Sequence, residues 1–343
     1  MTSPRVSDSR FRAYFQFVVA LVYYFLARAL AHRAANGLAH DQWVPVAEQA
    51  MLVFLLLFGF AGVGFSLNAQ AEPISAQGLP RRRGWQHEAG LGLAIGWAMT
   101  VVCAALMAID GGIAIRISTN FAAWGWLLIE ALFFALLVLV EEIAFRGYPF
   151  QRFSRAVGSA GAVIGFSALY AFLQALEPGS SRVSAIVAFI FNLLLSVAYL
   201  RTRALWVSWG INFGWKAARA LLFGLTVSGM NSHSPVVQGD PMGPFWLTGG
   251  GFGLDGSWLA FFVILVAIPV VYRVTRELDF VHNAPHIVPG GIPVDLDAAA
   301  RRQHEAAMGS SEPAPQPLVQ IASAAPPPTS PDLPQPISGN DSQ

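Results

Sequence analysis

The sequence predicts an all-α membrane protein with about eight transmembrane helices, and three observations support this fold class. Hydrophobic residues make up 55% of the 343 residues and charged residues only 12%, whereas a soluble domain carries about 25% charged residues. Eight segments are long and apolar enough to cross a bilayer, which requires about 20 residues each. Arginines alternate along the chain as expected for a protein that crosses a membrane repeatedly.

The eight apolar segments follow one another through short polar connections. The first, AYFQFVVALVYYFLARALA, lacks a small-residue cleavage site, so we predict a retained helix rather than a signal peptide. Glu177, Pro178 and Gly179 interrupt a long apolar stretch and separate the fifth segment from the sixth. The predicted spans are residues 13–31, 45–66, 89–109, 121–140, 157–176, 183–200, 204–224 and 257–275.

The placement of arginine predicts that both termini are cytoplasmic. With this orientation, the outer segments contain only Arg28, Arg33, Arg116 and Arg182, and the long loop 225–256 has no lysine or arginine. An excess of basic residues in the cytoplasmic segments is the usual pattern of multi-pass membrane proteins. The predicted cytoplasmic segments contain Arg5, Arg10, Arg12, Arg81, Arg82, Arg83, Arg152, Arg155, Arg201, Arg203, Arg273 and Arg276.

Composition also predicts the domain organisation and excludes several classes of protein. Residues 1–71 hold two helices, residues 72–280 a helical core, and residues 281–343 a Pro- and Ala-rich tail predicted to be disordered. The tail is either a solvated segment or a docking segment with proline-rich turns. The net charge of +1 argues against a nucleic-acid partner, and the single Cys103 excludes an intramolecular disulfide and a cysteine zinc cluster.

Two adjacent carboxylates, Glu141 and Glu142, lie at the end of the fourth predicted span. Glu142 and Arg146 are four residues apart, so they share a helix face and can pair. Glu141 points about 100° away and is available to another partner, and Glu130 lies on nearly the same face as Glu141. Charged residues within a span are costly and indicate function. An acid pair at the membrane interface is the alternative interpretation.

Two further helices carry polar pairs at a spacing of four residues. Tyr170 and Gln174 share one face of the fifth span, and Asn212 and Lys216 share one face of the seventh. A polar pair can simply hold helices together, and Lys216 can snorkel to an interface. Otherwise Lys216, the only lysine in the chain, requires a partner, and the carboxylates of the fourth span are the obvious candidates.

The order of these segments resembles the CPBP intramembrane proteases, which include the CAAX prenyl endopeptidases and bacterial abortive-infection-type membrane proteins. EEIAFRGY resembles the first family motif, EExxxR, while YAFLQALEPG and INFGWK stand where the FxxxH and HxxxN motifs occur. The upstream QGLPRRRGWQHEAGLGLAIG and the downstream FGLTVSG and WLTGGGFGLDGS extend the resemblance over roughly residues 72–275. The downstream segments imply a bacterial protein, in the plasma membrane.

The resemblance also shows where this chain departs from the family. Glu141 matches the glutamate that the family uses to activate water, and Glu142 and Arg146 complete its first motif. Gln174 and Asn212 stand at the positions of the two motif histidines, and Lys216 stands at that of the motif asparagine. The other departures are Tyr170 for Phe, Glu177 for Asn and Asp255 for Glu.

These departures predict that hydrolysis is impaired. Hydrolysis requires an activated water and a stabilised oxyanion, and amides do not titrate near neutral pH and are poor zinc ligands. We therefore expect no cofactor, with zinc present only if the chain is an active protease. The chain is predicted to bind a membrane partner or a prenylated or hydrophobic peptide in the former active-site cleft. An active endopeptidase with a variant centre is one alternative, and a transporter-like polar path is another.

Overall fold

The computed structural model describes residues 6–68, 74–118, 120–230, 236–276 and 278. These residues all belong to the first of two units of the chain, Met1–Ala284. The predicted tail, 281–343, lies outside the described residues, as does His233 of the long outer loop.

The structure confirms the all-α membrane class. Within the described residues, five helical segments are long and apolar enough to cross a bilayer, and two shorter apolar helices, Ser159–Ala175 and Trp258–Val274, accompany them. The total of eight spans and the cytoplasmic termini stay predictions. The helices are α1 Val6–Leu38, α2 Val44–Asn68, α3 Trp85–Ile109, α4 Phe121–Arg146, α5 Tyr148–Val157, α6 Ser159–Ala175, α7 Arg182–Thr202, α8 Leu205–Ala217, α9 Phe245–Thr248 and α10 Trp258–Val274.

The fourth helix is longer than predicted, and this changes the setting of its carboxylates. The predicted span ends at residue 140, but α4 continues to Arg146. Glu142 is fully buried within the bundle, so its charge is paired inside the protein and not in solvent. The apolar run ends at Val140, whereas the helix continues because Glu142 and Arg146 pair one turn apart.

One helix and a two-stranded ribbon were not predicted. The amphipathic helix α5 follows α4 after Gly147, with Pro149 in its first turn, where proline is tolerated because the amide hydrogen has no helical partner. Strands β1 Ile113–Ile117 and β2 Val237–Pro241 form an antiparallel ribbon with Ile113 opposite Pro241. The two strands are more than 100 residues apart in the sequence, so no local turn pattern predicts that they pair.

Helices α3 and α8 pack against each other through glycines on both partners. A Cβ atom at Gly92 or Gly96 of α3 would overlap the carbonyl oxygen of Val207 or Ile211 of α8, and Gly210 and Gly214 of α8 oppose α3 in the same way. Small residues four positions apart allow such close helix contact in membrane proteins. This contact fixes α8, which carries Asn212 and Lys216, within the bundle.

The buried core has two main parts, and the polar residues lie between them. One part is built by α3, α7, α8 and α10 around the fully buried Trp215. The other is built by α1, α2, α5, α6 and the end of α4 around Ile143 and Phe150. Helices α4 and α8 meet at this boundary, so their inward polar side chains face one another.

Candidate active-site cleft

A group of hydrogen bonds joins α4 to α8 at the predicted site. The Lys216 ammonium donates to Glu141 Oε1 in an ion pair. Asn212 Nδ2 donates to Glu141 Oε2 at 2.9 Å and to Glu142 Oε1 at 3.0 Å. Asn212 and Lys216 are one helical turn apart, so one face of α8 contacts both carboxylates.

The second carboxylate continues this network toward α6 and α7. Arg146 Nη1 donates to Glu142 Oε1 at 2.8 Å, as the spacing of four predicts. The other end of the Arg146 guanidinium donates to Asn192 of α7, and Asn192 Nδ2 donates to Ser167 of α6 at 3.1 Å. A continuous hydrogen-bonded path therefore crosses α8, α4, α7 and α6.

The network is balanced in charge. Its two carboxylates, Glu141 and Glu142, face two cations, Lys216 and Arg146. The Glu142, Arg146 and Lys216 side chains are at most 5% exposed, and Glu141 is 19% exposed. Buried charges are tolerated when they are paired and hydrogen-bonded. Lys216 therefore compensates the charge of the carboxylate that the family resemblance identifies as the activator of water.

A second buried ion pair lies next to Lys216 and was not predicted. Arg219 Nη1 lies 2.8 Å from Asp255 Oδ1, which also accepts from Trp215 Nε1 at 3.1 Å. Ser228 Oγ donates to Asp255 Oδ2 at 2.8 Å. Arg219 belongs to the π-helical turn Ala218–Leu222 that follows α8, and such turns are frequent at functional sites. These contacts of Asp255 hold the long loop 225–256 against the end of α8.

The environment of Asp255 favours its charged form. Burial by itself would raise the pKa of the Asp255 carboxyl. The positive charge of Arg219 and the hydrogen bonds from Arg219 and Ser228 outweigh this effect, so the pKa lies below its ordinary value. The loop anchor is consequently an ion pair at neutral pH.

A cleft of about 360 Å³ opens beside the network, and α1, α2, α4, α6, α8 and the loop after α8 line it. Its polar lining includes Glu141, Gln174 and Lys216, and its apolar lining includes Leu137 and Phe145. Gln174 is 9% exposed and lines the cleft without a hydrogen bond to Glu141 or Lys216. The structure thus joins five of the six predicted site residues in one network and places Gln174 on the same cleft.

The first residues of the loop 225–256 lie beside the cleft. The predicted topology put the loop 225–256 opposite Glu141, but Ser228 and Met230 line the cleft together with Glu141. The start of the loop and Glu141 are therefore neighbours in the structure, while the side of the membrane on which they lie stays a prediction. In the longer α4, Glu141 lies 20 residues from the start of the helix at Phe121 and five residues before its end.

The donor groups at this site do not suit a zinc ion. Zinc prefers imidazole, thiolate and carboxylate ligands, but the groups around Glu141 are the amide of Asn212 and the ammonium of Lys216. Within the described part of the chain, no three His, Cys, Asp or Glu residues come together as a metal site. The Lys216 ammonium already pairs with Glu141 Oε1, so a cation is present at this carboxylate.

These features define a class of protein: a helical integral membrane protein with a paired-glutamate helix facing an internal cleft. The family model described as Type II CAAX prenyl endopeptidase Rce1-like matches residues 121–218. Residues 121–218 are therefore similar to this family, and the resemblance stated from the motifs is confirmed. The matched segment starts at α4 and ends just beyond α8, so it includes all six predicted site residues. No curated protein and no solved structure matches the chain.

The sequence analysis missed several residues that complete the site. Asn192 and Ser167 are single polar residues in apolar helices, and their contacts become visible only when α6 and α7 pack. Arg28 and Glu48 line the cleft from α1 and α2, outside the matched segment. A useful signal was available for Asn192, since a polar residue in a span commonly hydrogen-bonds across helices.

Proposed function

We propose that this chain is a membrane protein of the CAAX endopeptidase type that binds a membrane partner or a hydrophobic peptide in its cleft without hydrolysing it. The observation that carries the proposal is the ion pair between Lys216 and Glu141. Both oxygens of Glu141 already accept hydrogen bonds, from Lys216 and from Asn212. A carboxylate whose two oxygens both already accept hydrogen bonds is poorly placed to take a proton from a water molecule.

The other groups around Glu141 do not replace a catalytic histidine. The amides of Gln174 and Asn212 neither accept nor release a proton near neutral pH. The ammonium of Lys216 has no lone pair with which to activate water. None of these three groups can act as a general base, and zinc is not expected to bind.

The cleft is suited to an apolar ligand that still has polar groups. Leu137, Val140 and Phe145 of α4 form an apolar wall opposite Gln174 of α6. The Gln174 amide can donate and accept hydrogen bonds, as a peptide group requires. The volume of about 360 Å³ lies within the range of small-ligand sites.

Cleavage is the first test of this proposal. We expect purified protein in detergent to leave a fluorogenic prenylated peptide uncut, with the same background as Glu141→Ala. The triple variant Gln174→His, Asn212→His, Lys216→Asn restores the residues that the family motifs carry, and it is expected to bind zinc and cleave the peptide. Cleavage by the unmodified protein that is lost in Glu141→Ala would overturn the proposal and favour an active variant centre, an alternative supported by the intact EExxxR motif.

Binding in the cleft is the second test. Leu137→Trp should fill part of the cleft and weaken binding of an uncleaved hydrophobic peptide at least tenfold, because Leu137 lines it. Leu132→Trp on the same helix is the matched control, since Leu132 is 51% exposed on the outer surface. Affinities are to be measured by fluorescence anisotropy of a labelled peptide. Equal affinity of the two variants would show that the peptide does not occupy the cleft.

A further inference from the structure

Helix α1 carries a charged residue, Arg28, well inside a candidate membrane span. The span covers Arg10–Leu38, and Arg28 lies ten residues before its end at Leu38. Ten residues of helix correspond to about 15 Å along the axis. A charged side chain at such a position is costly unless it has a partner or faces a water-filled cavity, and it therefore indicates a functional site.

The side chain of Arg28 faces the cleft without a carboxylate partner. It is exposed and lines the cleft, where it interacts with the hydroxyl group of Tyr24, one turn earlier on α1. Among the described residues, no carboxylate lies within ion-pair distance of Arg28. The positive charge of its guanidinium is therefore directed at the open space of the cleft.

The carboxylates that line the same cleft are engaged or exposed elsewhere. Glu141 is held in its ion pair with α8, and Oε2 of Glu48 on α2 lies 3.0 Å from Nδ1 of His32. Glu177 follows the end of α6 and is exposed to solvent. Arg28 thus remains available to an anionic group of a ligand.

A further polar group without a partner lies on α2, which packs against α1. Gln49 lines the cleft, and its Oε1 atom is buried and accepts no hydrogen bond from the part of the chain that the structure describes. A buried acceptor without a donor costs free energy, so a ligand that brings an N–H group to Gln49 is favoured. A carboxylate close to an amide N–H is present at the end of a peptide and at an acidic residue within one.

We propose that Arg28 binds a carboxylate of the peptide ligand in the cleft and so makes the cleft selective for acidic peptides. The carboxylate is the C-terminal group of the peptide or an acidic side chain, because the guanidinium fork fits both. This selectivity rests on the proposed binding of a peptide in the cleft. It is supplied by α1, which lies outside the matched segment 121–218.

The test measures the binding of three labelled pentapeptides of leucine and alanine to the full chain in detergent. Each carries an uncharged fluorophore at its N-terminus, and affinity is measured by fluorescence anisotropy. One peptide ends in a free carboxylate, one in a carboxamide, and one in a carboxamide with a single aspartate in place of an alanine. We expect at least one of the two acidic peptides to bind about tenfold more tightly than the uncharged one. The preferred acidic peptide identifies the source of the carboxylate.

The variant Arg28→Gln should remove this preference and leave the affinity for the uncharged peptide nearly unchanged, because only the charge is lost from the cleft lining. Arg33→Gln is the matched control, since Arg33 is an exposed arginine of the same helix that lies outside the cleft lining. The control should keep the preference for the acidic peptide. Thermal unfolding of each variant establishes that it remains folded.

Three results would overturn the proposal while leaving peptide binding intact. The first is equal binding of all three peptides by the unmodified protein, which does not depend on the folding of any variant. The second is a preference that survives in Arg28→Gln. The third is an equal loss of preference in Arg33→Gln, because overall charge would then attract the peptide. A failure of all three peptides to bind would instead contradict the proposed function, and the selectivity with it.

Discussion

A Glu141→Gln variant is expected to unfold about 3 kcal/mol more easily than the unmodified protein, because it leaves the Lys216 ammonium buried without a carboxylate. Removing one partner of a buried ion pair typically costs about 3–5 kcal/mol. We expect the low end of this range, since the glutamine oxygen can still accept a hydrogen bond from Lys216. The free energy of unfolding is to be measured by denaturant titration in mixed micelles.

The complementary variant, Lys216→Met, should cost less than Glu141→Gln. It leaves Glu141 with its hydrogen bond from Asn212, and Glu141 is 19% exposed whereas Lys216 is 5% exposed. The remaining carboxylate therefore keeps a partner and some contact with solvent. A partly solvated, hydrogen-bonded charge is less costly than a buried and unpaired one.

The double variant Glu141→Gln, Lys216→Met tests whether the broken ion pair accounts for the loss of stability in the single variants. Replacing both members removes the unpaired charge, so stability should recover toward that of the unmodified protein, with a coupling of at least 1 kcal/mol between the two sites. Additive losses would contradict the ion pair. Ser228→Ala, which alters a neighbouring hydrogen bond to Asp255 rather than to Glu141, serves as a control for general disturbance of the cleft.

The membrane fold could be predicted because its cause is local. Long apolar runs must form helices in a bilayer, since the backbone can satisfy its hydrogen bonds there only within the segment. The same reasoning failed at Val140, where the apolar run ends although the helix continues to Arg146. Hydropathy detects the run, but the end of the helix depends on the buried pair of Glu142 and Arg146.

The candidate site was predictable to the extent that it depends on helical spacing. Glu142 and Arg146 pair as their separation of four indicates, and Lys216 pairs with one of its two expected partners. The Arg219–Asp255 pair was not predictable, because it joins residues 36 positions apart across a loop and a π-helical turn. Contacts of this kind are set by packing rather than by sequence period.

The substitutions at the motif positions are linked through the charge of Glu141. With Gln174 and Asn212 in place of histidines, the two amides cannot exchange a proton with Glu141 near neutral pH and are poor zinc ligands. The charge of Glu141 then requires another cation, and Lys216 supplies it one turn from Asn212. A change of Lys216 alone to asparagine would therefore leave a partly buried carboxylate uncompensated rather than restore a catalytic centre.

Gly96→Ala is expected to destabilise the protein by about 3 kcal/mol or more, measured in the same titration. Its Cβ would overlap the carbonyl oxygen of Ile211 and lie 2.8 Å from the amide nitrogen of Trp215. Overpacking usually costs about 1–3 kcal/mol when side chains can move aside. Here the obstacle is the backbone of α8, which can yield only if the two helices separate.

Gly90→Ala is the matched control on the same helix. No atom lies within 4 Å of the Cβ that it would add, so the change should be neutral or stabilise α3 by up to about 1 kcal/mol, as alanine does in a helix. Equal stability of the two variants would show that α3 and α8 are not in close contact. Because α8 carries both Asn212 and Lys216, separation of the helices should also weaken the coupling between Lys216 and Glu141. The Gly96→Ala background therefore tests whether the glycine contact positions the polar network.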